Sequence, residues 1–418
     1  MAVVESQVTA AELEKVLPKV RTLFERDDKF YSRIKKATDA IPVSNRQMRI
    51  PLELRPGGSF QYFDPNGGDL GRGGGPTLDK AVVSCVFVSE NIEYTKLTQW
   101  STNNDRKAIV NAVRRLTATA LDELRRQLDS QLMQAGNGVI GTVSGVSTAA
   151  GVDTYTMTSD GFGTRLVRYG QTVSVWDATL ATMRGKGVIT ANDVDNSTID
   201  VTPAVAGAIA TDLLVTDGIT SPNSLPALYG VPYHHSNAST GTWLGFSRAT
   251  TPEIRANRVN AGGAALSLPL PRLAMNKIGN RLGIDNNFKP EAWLHPAQLQ
   301  AYEDVGQAAI ILNKSGGGSD KLDFYFDGPY SFAGALGKPS FSWNKSRIDF
   351  VVPNLWGRAE ILPIGFYKTD GRTIFEIRAS SGGVATSDIF YMVNGLQTFL
   401  MNPAAASYID NLAVPAGY

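Results

Sequence analysis

Three histidines and a single cysteine are the side chains best suited to nucleophilic, acid–base or metal chemistry, and their spacing argues against all three. His234 and His235 are adjacent, and on an extended segment neighbouring side chains point to opposite faces, so the two seldom share one ion. With His295 alone elsewhere, core or surface histidines are the expected reading. Cys85 sits inside the run AVVSCVFV, where a buried, inert thiol is the default, and a lone cysteine excludes intrachain disulfides and multi-thiolate zinc sites. Asp193 and Asp195, flanked by Asn192 and Asn196, have the composition of a cation-binding turn. They lack the glycine at the sixth loop position and the bidentate glutamate at the twelfth, which leaves an Asx-rich turn between strands. Gly71-Arg72-Gly73-Gly74-Gly75 has the look of a phosphate loop, but no Gly-Lys-Ser/Thr follows it. There is no G-x-S-x-G elbow, H-E-x-x-H helix or Walker motif. The sequence therefore predicts a protein that is not an enzyme, with no cofactor and no metal.

The informative features are the elements. Residues 9–37 read as a helix: Thr9 and Glu12 have capping-box spacing, and Leu13, Val16, Leu17, Val20, Leu23 and Phe24 recur at helical steps. Lys15, Lys19, Lys35 and Lys36 are among its many charges, as on an arm lying against something else. RQMRIPLELRP (46–56) and AVVSCVFV (81–88) read as strands. The glycine-rich stretch between them cannot form a core, and a loop of that length in a compact domain is usually functional or disordered. It predicts the tip of a long hairpin leaving the body. Residues 102–135 carry Ile109, Val113, Leu116, Ala120, Leu124, Leu128 and Leu132 at steps of three and four. They predict a helix of roughly 50 Å at about 1.5 Å per residue, with Asn103 or Asn104 capping its start and Gly136 at its left-handed stop. Arg114, Arg115, Arg125 and Arg126 lie beside that stripe.

Composition changes at about residue 137. From there to 222 lysine occurs once, at Lys186, glutamate is absent, and short β-prone runs (154–159, 171–178, 187–192, 197–202, 212–218) alternate with turn residues. Such a segment predicts a small inserted barrel or sandwich. Beyond it, 271–283 and 295–306 each start at proline and end at glycine like short helices, whereas 348–352, 360–367, 372–380 and 386–401 look like strands. At 418 residues, with 43% hydrophobic and 19% charged residues, the chain has enough apolar surface for two or three folded cores. Forty Lys+Arg against 39 Asp+Glu excludes a dedicated, strongly basic nucleic-acid binder. No window of about 18 apolar residues occurs, so no membrane partner is expected.

In this order the elements resemble the major capsid proteins of tailed double-stranded DNA bacteriophages, the Hong Kong 97-like fold. The residues that carry the resemblance most closely are LYGVPYHHSN, EAWLHPAQLQAYEDVG and TSDIFYMVNGLQTFLMNPAAASYI. The resemblance implies an α+β fold laid out as an N-terminal arm (1–45), an extended loop hairpin with peripheral strands (46–100), the spine helix of a peripheral domain (101–136), an inserted β-domain (137–222), an axial domain with adjoining peripheral elements (223–365) and C-terminal peripheral strands (366–418). It further implies hexamers and pentamers of an icosahedral head in the virion, assembled in the host cytoplasm around packaged double-stranded DNA. The implied partners are a separate scaffolding protein, a portal and decoration proteins. Interface residues would be Arg55, Phe60, Tyr62, Phe63, Arg72 and Lys80; residues facing DNA would be Lys35, Lys36, Arg114, Arg115, Arg125 and Arg126. Lys80 and Lys96 are available for the covalent cross-linking known in some relatives, which is not expected here. Two alternatives remain: an encapsulin-like nanocompartment, and a carbohydrate-binding or carbohydrate-active protein suggested by the β-rich middle and by Trp176, Trp243 and Trp343 taken as exposed aromatics.

Overall fold

The computed structural model describes residues 29–37, 41–42, 46–62, 71–95, 106–158, 161–283, 289–314, 331–378 and 384–415. They divide into two compact units. The first falls within 29–32, 85–129 and 360–396, and the second within 33–84, 130–359 and 397–415.

In the first unit the 17-residue strand Val384–Leu400 is central as far as Leu396, its last residues belonging to the second unit. It pairs antiparallel with Val86–Thr95 through the registers Ser387–Thr95 to Leu396–Val86, and with Ile374–Arg378. The spine helix, Arg106–Leu132, has 27 residues and so spans about 40 Å at 1.5 Å per residue. Ala120, Leu124 and Leu128 of its apolar stripe are buried, as the step-of-four spacing requires. Near its end Asp129 is buried and accepts hydrogen bonds from the backbone N–H of Phe30 (3.0 Å) and Tyr31 (2.7 Å). That carboxylate seats the incoming chain, with Phe30 and Tyr31 buried beside it.

The helix expected over 9–37 does not reach its end: Tyr31–Arg33 is a single 3-10 turn, and Lys35–Lys36 form a parallel pairing with Gly357 and Arg358. Backbone N–H groups captured by Asp129 and by a strand cannot also continue a helical ladder. Residues 9–28 of that expectation, with Asn103 and Asn104, lie outside the described residues.

Among the described residues the second unit holds a hairpin sheet, a closed barrel, a mixed sheet and the small two-stranded sheet of Thr242–Trp243 with Phe246–Ser247. The hairpin Gln47–Arg55 with Thr77–Ser84 is in antiparallel register from Gln47–Ser84 to Arg55–Thr77, with Ile41–Pro42 on its edge. Its inward face, Met48, Ile50, Ala81 and Val83, is buried. Residues 139–216 close into a six-stranded antiparallel barrel in the order Thr198–Thr202, Val152–Met157, Val139–Ala149, Leu213–Thr216, Thr172–Trp176, Met183–Asp193. Closure removes every free edge. The interior is filled by Ile140, Val143, Tyr155, Val173, Val175, Ile189, Ile199, Val201 and Leu214. The strand Val139–Ala149 was not anticipated, because Gly141, Ser144 and Gly145 dilute its β-prone signal.

A mixed six-stranded sheet follows the order Asn257–Asn260, Ser407–Asp410, Ile348–Val351, Glu291–Leu294, Ala335–Pro339, Ser331–Phe332. Its core packs Val259, Leu266, Ala274, Leu294, Phe332, Ile348, Phe350 and Ile409. Helix Pro269–Leu282 stops before Gly283 as expected, but Pro296–Lys314 runs through Gly306, since an interior glycine only weakens a helix by about 1 kcal/mol. Gly136 lies four residues past the last turn of the spine helix and is not its stop. Its φ of +95° and the ring of Tyr229, 2.8 Å from where a Cβ would stand, require glycine there for a different reason.

Candidate assembly surfaces

The chemistry-bearing residues are enclosed. His234 and His235 both have 0% exposure and sit at the end of a short helical turn, Val231–His234, not on an extended segment. His235 Nδ1 is 3.0 Å from Asp349 Oδ1. Asp349 also accepts from Arg347 Nη2 (2.7 Å), Arg347 Nε (2.9 Å) and Trp343 Nε1 (3.1 Å), while Trp243 Nε1 donates to His234 Nδ1 (3.1 Å). Burial alone would push the Asp349 carboxyl up; Arg347 and His235 hold it down to about 2. Burial keeps both imidazoles below their usual range, His234 well below. His295 accepts the Ala297 N–H at the head of helix Pro296–Lys314, and burial with the nearby charges of Lys345 and Arg165 lowers it to about 4. Neutral histidines around a paired carboxylate, all shut from solvent, tie chain segments together and reach no substrate. The Cys85 thiol is buried and pushed up to about 11, so it stays protonated. Among the described residues no group of three His, Cys, Asp or Glu side chains is placed to hold a metal ion.

Trp176, Trp243 and Trp343 are buried, at 5%, 1% and 2% exposure, so the expectation of exposed sugar-stacking aromatics fails. Each indole N–H already has an internal acceptor: Ser174 for Trp176, His234 for Trp243 and Asp349 for Trp343.

The two most exposed large hydrophobic side chains among the described residues lie on the hairpin. Past Arg55 and Thr77 the strands give way to a glycine-rich tip closed by Gly58 N–H to Gly74 C=O (2.7 Å). Phe60 and Tyr62 are 87% and 91% exposed and meet edge to face at 5.4 Å between ring centres. Arg72 and Lys80 are also exposed, Lys80 within the hairpin ladder opposite Pro51; Phe63 lies outside the described residues. Arg55 departs from the expectation. It binds Glu253 of its own chain at 2.7 Å and so anchors the base of the tip; that hydrogen bond holds the Glu253 carboxyl below its usual range.

Of the residues expected to face DNA, Lys35, Lys36 and Arg125 are exposed, and the side chains of Arg114 and Arg115 lie outside the described residues. Arg126 is a correction. It is 3% exposed and paired with Glu123, donating from Nε at 2.9 Å, because its position one residue past Arg125 turns it onto the buried side of the helix. Beside this pair, burial and then the charge of Glu123 push the Glu90 carboxyl up to about 7, against the pull of Arg126. The sequence marked paired arginines; only the helix phase separates one from the other.

No protein-family profile matches the sequence, and no curated protein matches it. Solved structures do. The chain is similar to the capsid subunit in the Cyanophage A-1(L) capsid asymmetric unit, with a TM-score of 0.54 at 12% identity over 97% of this chain and 99% of that one. Also similar are the capsid of the native GTA particle (TM-score 0.46, 11% identity, 98% of this chain and 100% of that one) and the SrpI encapsulin of Synechococcus elongatus PCC 7942 (0.43, 9% identity, 98% and 97%). The described residues have a phage capsid-like fold of mixed helix and strand.

Proposed function

We propose that this chain is the major capsid protein of a tailed double-stranded DNA phage, assembling into hexamers and pentamers of an icosahedral head. The observation that carries the reading is the near-complete mutual coverage with the cyanophage capsid subunit: the chain is spent on the capsid fold, with the barrel at 139–216 read as the insertion between spine and axial segments. The exposed aromatic tip supports it, since two neighbouring rings held in water by a coreless loop gain stability only by burial on a partner. In this reading Phe60, Tyr62, Arg72 and Lys80 contact a neighbouring copy. Lys35, Lys36 and Arg125 meet packaged DNA through weak phosphate contacts, joined by Arg114 and Arg115. A scaffolding protein, a portal and decoration proteins are the further partners, and the virion is the final location.

Electron microscopy of the full chain co-expressed with its scaffold tests this. Closed shells that take up DNA are the expected result; small shells filled with a protein cargo would establish the encapsulin alternative, and a strictly monomeric species in every co-expression would overturn both.

A further inference from the structure

Charge is segregated along this nearly neutral chain. Residues 137–222 contain eight aspartates against three arginines and one lysine, a net charge of −4, so the rest of the chain carries +5. The acidic excess surfaces at the turn after strand Met183–Asp193, where Asp193, Val194 and Asp195 are all exposed and Val194 reaches 63%. The Asp193 carboxylate is occupied in shaping that turn, accepting from the Asp195 and Asn196 N–H groups. Asp195 has no side-chain partner among the described residues.

The opposite composition surrounds helix Pro269–Leu282, which contains no acidic residue. Its outer face presents Leu268, Arg272, Leu273, Asn276 and Asn280 at steps of about four, with Leu268 41% and Leu273 45% exposed. Behind that face Lys277 donates to the Arg258 carbonyl, Arg281 to the Pro252 and Glu253 carbonyls, and Arg255 to the Arg248 carbonyl. These bonds satisfy donors without cancelling charge. Among the described residues Glu253 is engaged by Arg55 and Asp410 by Arg258. Arg272 has no partner among the described residues. A cationic face that also exposes two leucines fits a protein better than a phosphate backbone, because leucine gains nothing from phosphate.

We propose that the Asp193–Val194–Asp195 turn of one copy docks on the Leu268/Arg272/Leu273 face of a second copy, Asp195 pairing with Arg272 and Val194 packing on the leucines. This rests on the shell reading above. It explains why one chain keeps two unlike exposed patches, each a small apolar centre ringed by one sign of charge. In identical copies such patches complement each other and repel their own kind, which sets register between neighbours.

The test is a charge swap in the full chain: Asp195→Lys, Arg272→Glu and the two together, co-expressed with scaffold. Both side chains are exposed and make no bond among the described residues, and equal thermal melts of the unassembled subunits check that folding is unchanged. Each single reversal sets like charges face to face and should lower shell yield about tenfold or more, and the double swap should restore it to within about twofold. Sedimentation velocity of the free subunits at low and high salt gives a readout that does not need shells: weak, salt-sensitive association in the original protein, lost in each single variant and regained in the double. Shells that form equally in all four proteins overturn the docking and leave the shell reading standing. Absence of salt-sensitive association where no shells form overturns both. A single reversal without rescue, or an Arg272→Glu shell with normal yield but less nucleic acid, also overturns it, the latter assigning the face to nucleic acid.

Discussion

The barrel at 139–216 and the hairpin whose strands end at Arg55 and Thr77 are both β excursions from the body of the sequence, yet they end in opposite physical situations. The barrel closes its last strand on its first, so every ladder finds a partner and nine large side chains share one interior. Its charged residues serve the same closure: buried Asp153 accepts from Tyr155 Oη (3.0 Å), Thr148 Oγ1 (2.6 Å) and the Val205 N–H (2.7 Å). The tip has two strands behind it, and its described residues, 56–62 and 71–76, are all exposed. In the proposed reading the difference separates what a shell subunit would keep for itself from what it would offer: a closed sheet stabilises one chain, whereas a glycine-rich loop with exposed rings would defer its burial until a partner arrives.

The comparison breaks most sharply by deletion. Replacing residues 57–75 with a short Gly-Ser turn should leave the circular dichroism spectrum nearly unchanged and abolish shells; normal particles from this variant would remove the tip from the interface. Expressed alone, residues 137–222 should give dispersed amide resonances, because closure and core are internal to the segment. A collapsed, undispersed spectrum would show that the barrel borrows stability from the rest of the unit.

Point substitutions sharpen the contrast at smaller scale. Leu214→Ala opens a cavity in the fully buried barrel interior and should cost about 2–5 kcal/mol in chemical denaturation, whereas Phe60→Ala should stay within about 0.5 kcal/mol in the free subunit. Comparable costs at both sites would mean that the tip is packed before assembly.

Acid separates the two regions last. The barrel segment contains no histidine, while His234, His235 and His295 lie in the remainder of the same unit, all with pKa values below the ordinary 6.5. A lowered folded value means that the unfolded chain binds the proton first. The stability these groups contribute is therefore complete above pH about 6.5 and is lost as pH falls, for His295 down to about 4 and by at most about 3 kcal/mol. Glu90 acts in the opposite sense between its ordinary 4.5 and about 7, so Glu90→Gln should steepen the loss. Denaturation midpoints of the full chain should fall between pH 7 and 4, while those of the isolated barrel hold until its aspartates begin to protonate. Parallel profiles for the two would contradict the assignment.

Much of the candidate surface was legible because it depends on local composition. Eight glycines within about 20 residues leave little with which to enclose Phe60 or Tyr62, and a stripe such as Ala120, Leu124 and Leu128 can be buried only as a helix. The misreadings came from residues whose environment is set at long range. Trp243 and Trp343 look like candidates for exposed aromatics until His234 and Asp349 are brought to their indole nitrogens, and Arg126 looks like its neighbour Arg125 until the helix phase turns it onto Glu123.

The sequence by itself determined the elements whose free energy is local: the spine helix from its periodicity, the coreless tip from its glycines, and the barrel from β-prone runs spaced by turns. Only the tertiary structure decided which distant segments share a sheet. Asn257–Asn260 lies parallel to Ser407–Asp410, and His235 meets Asp349 across 114 positions of sequence. Such pairings cost loop-closure entropy that no short window records, and what offsets it is the simultaneous burial of strands from several parts of the chain, a property of the assembled core and not of any one segment.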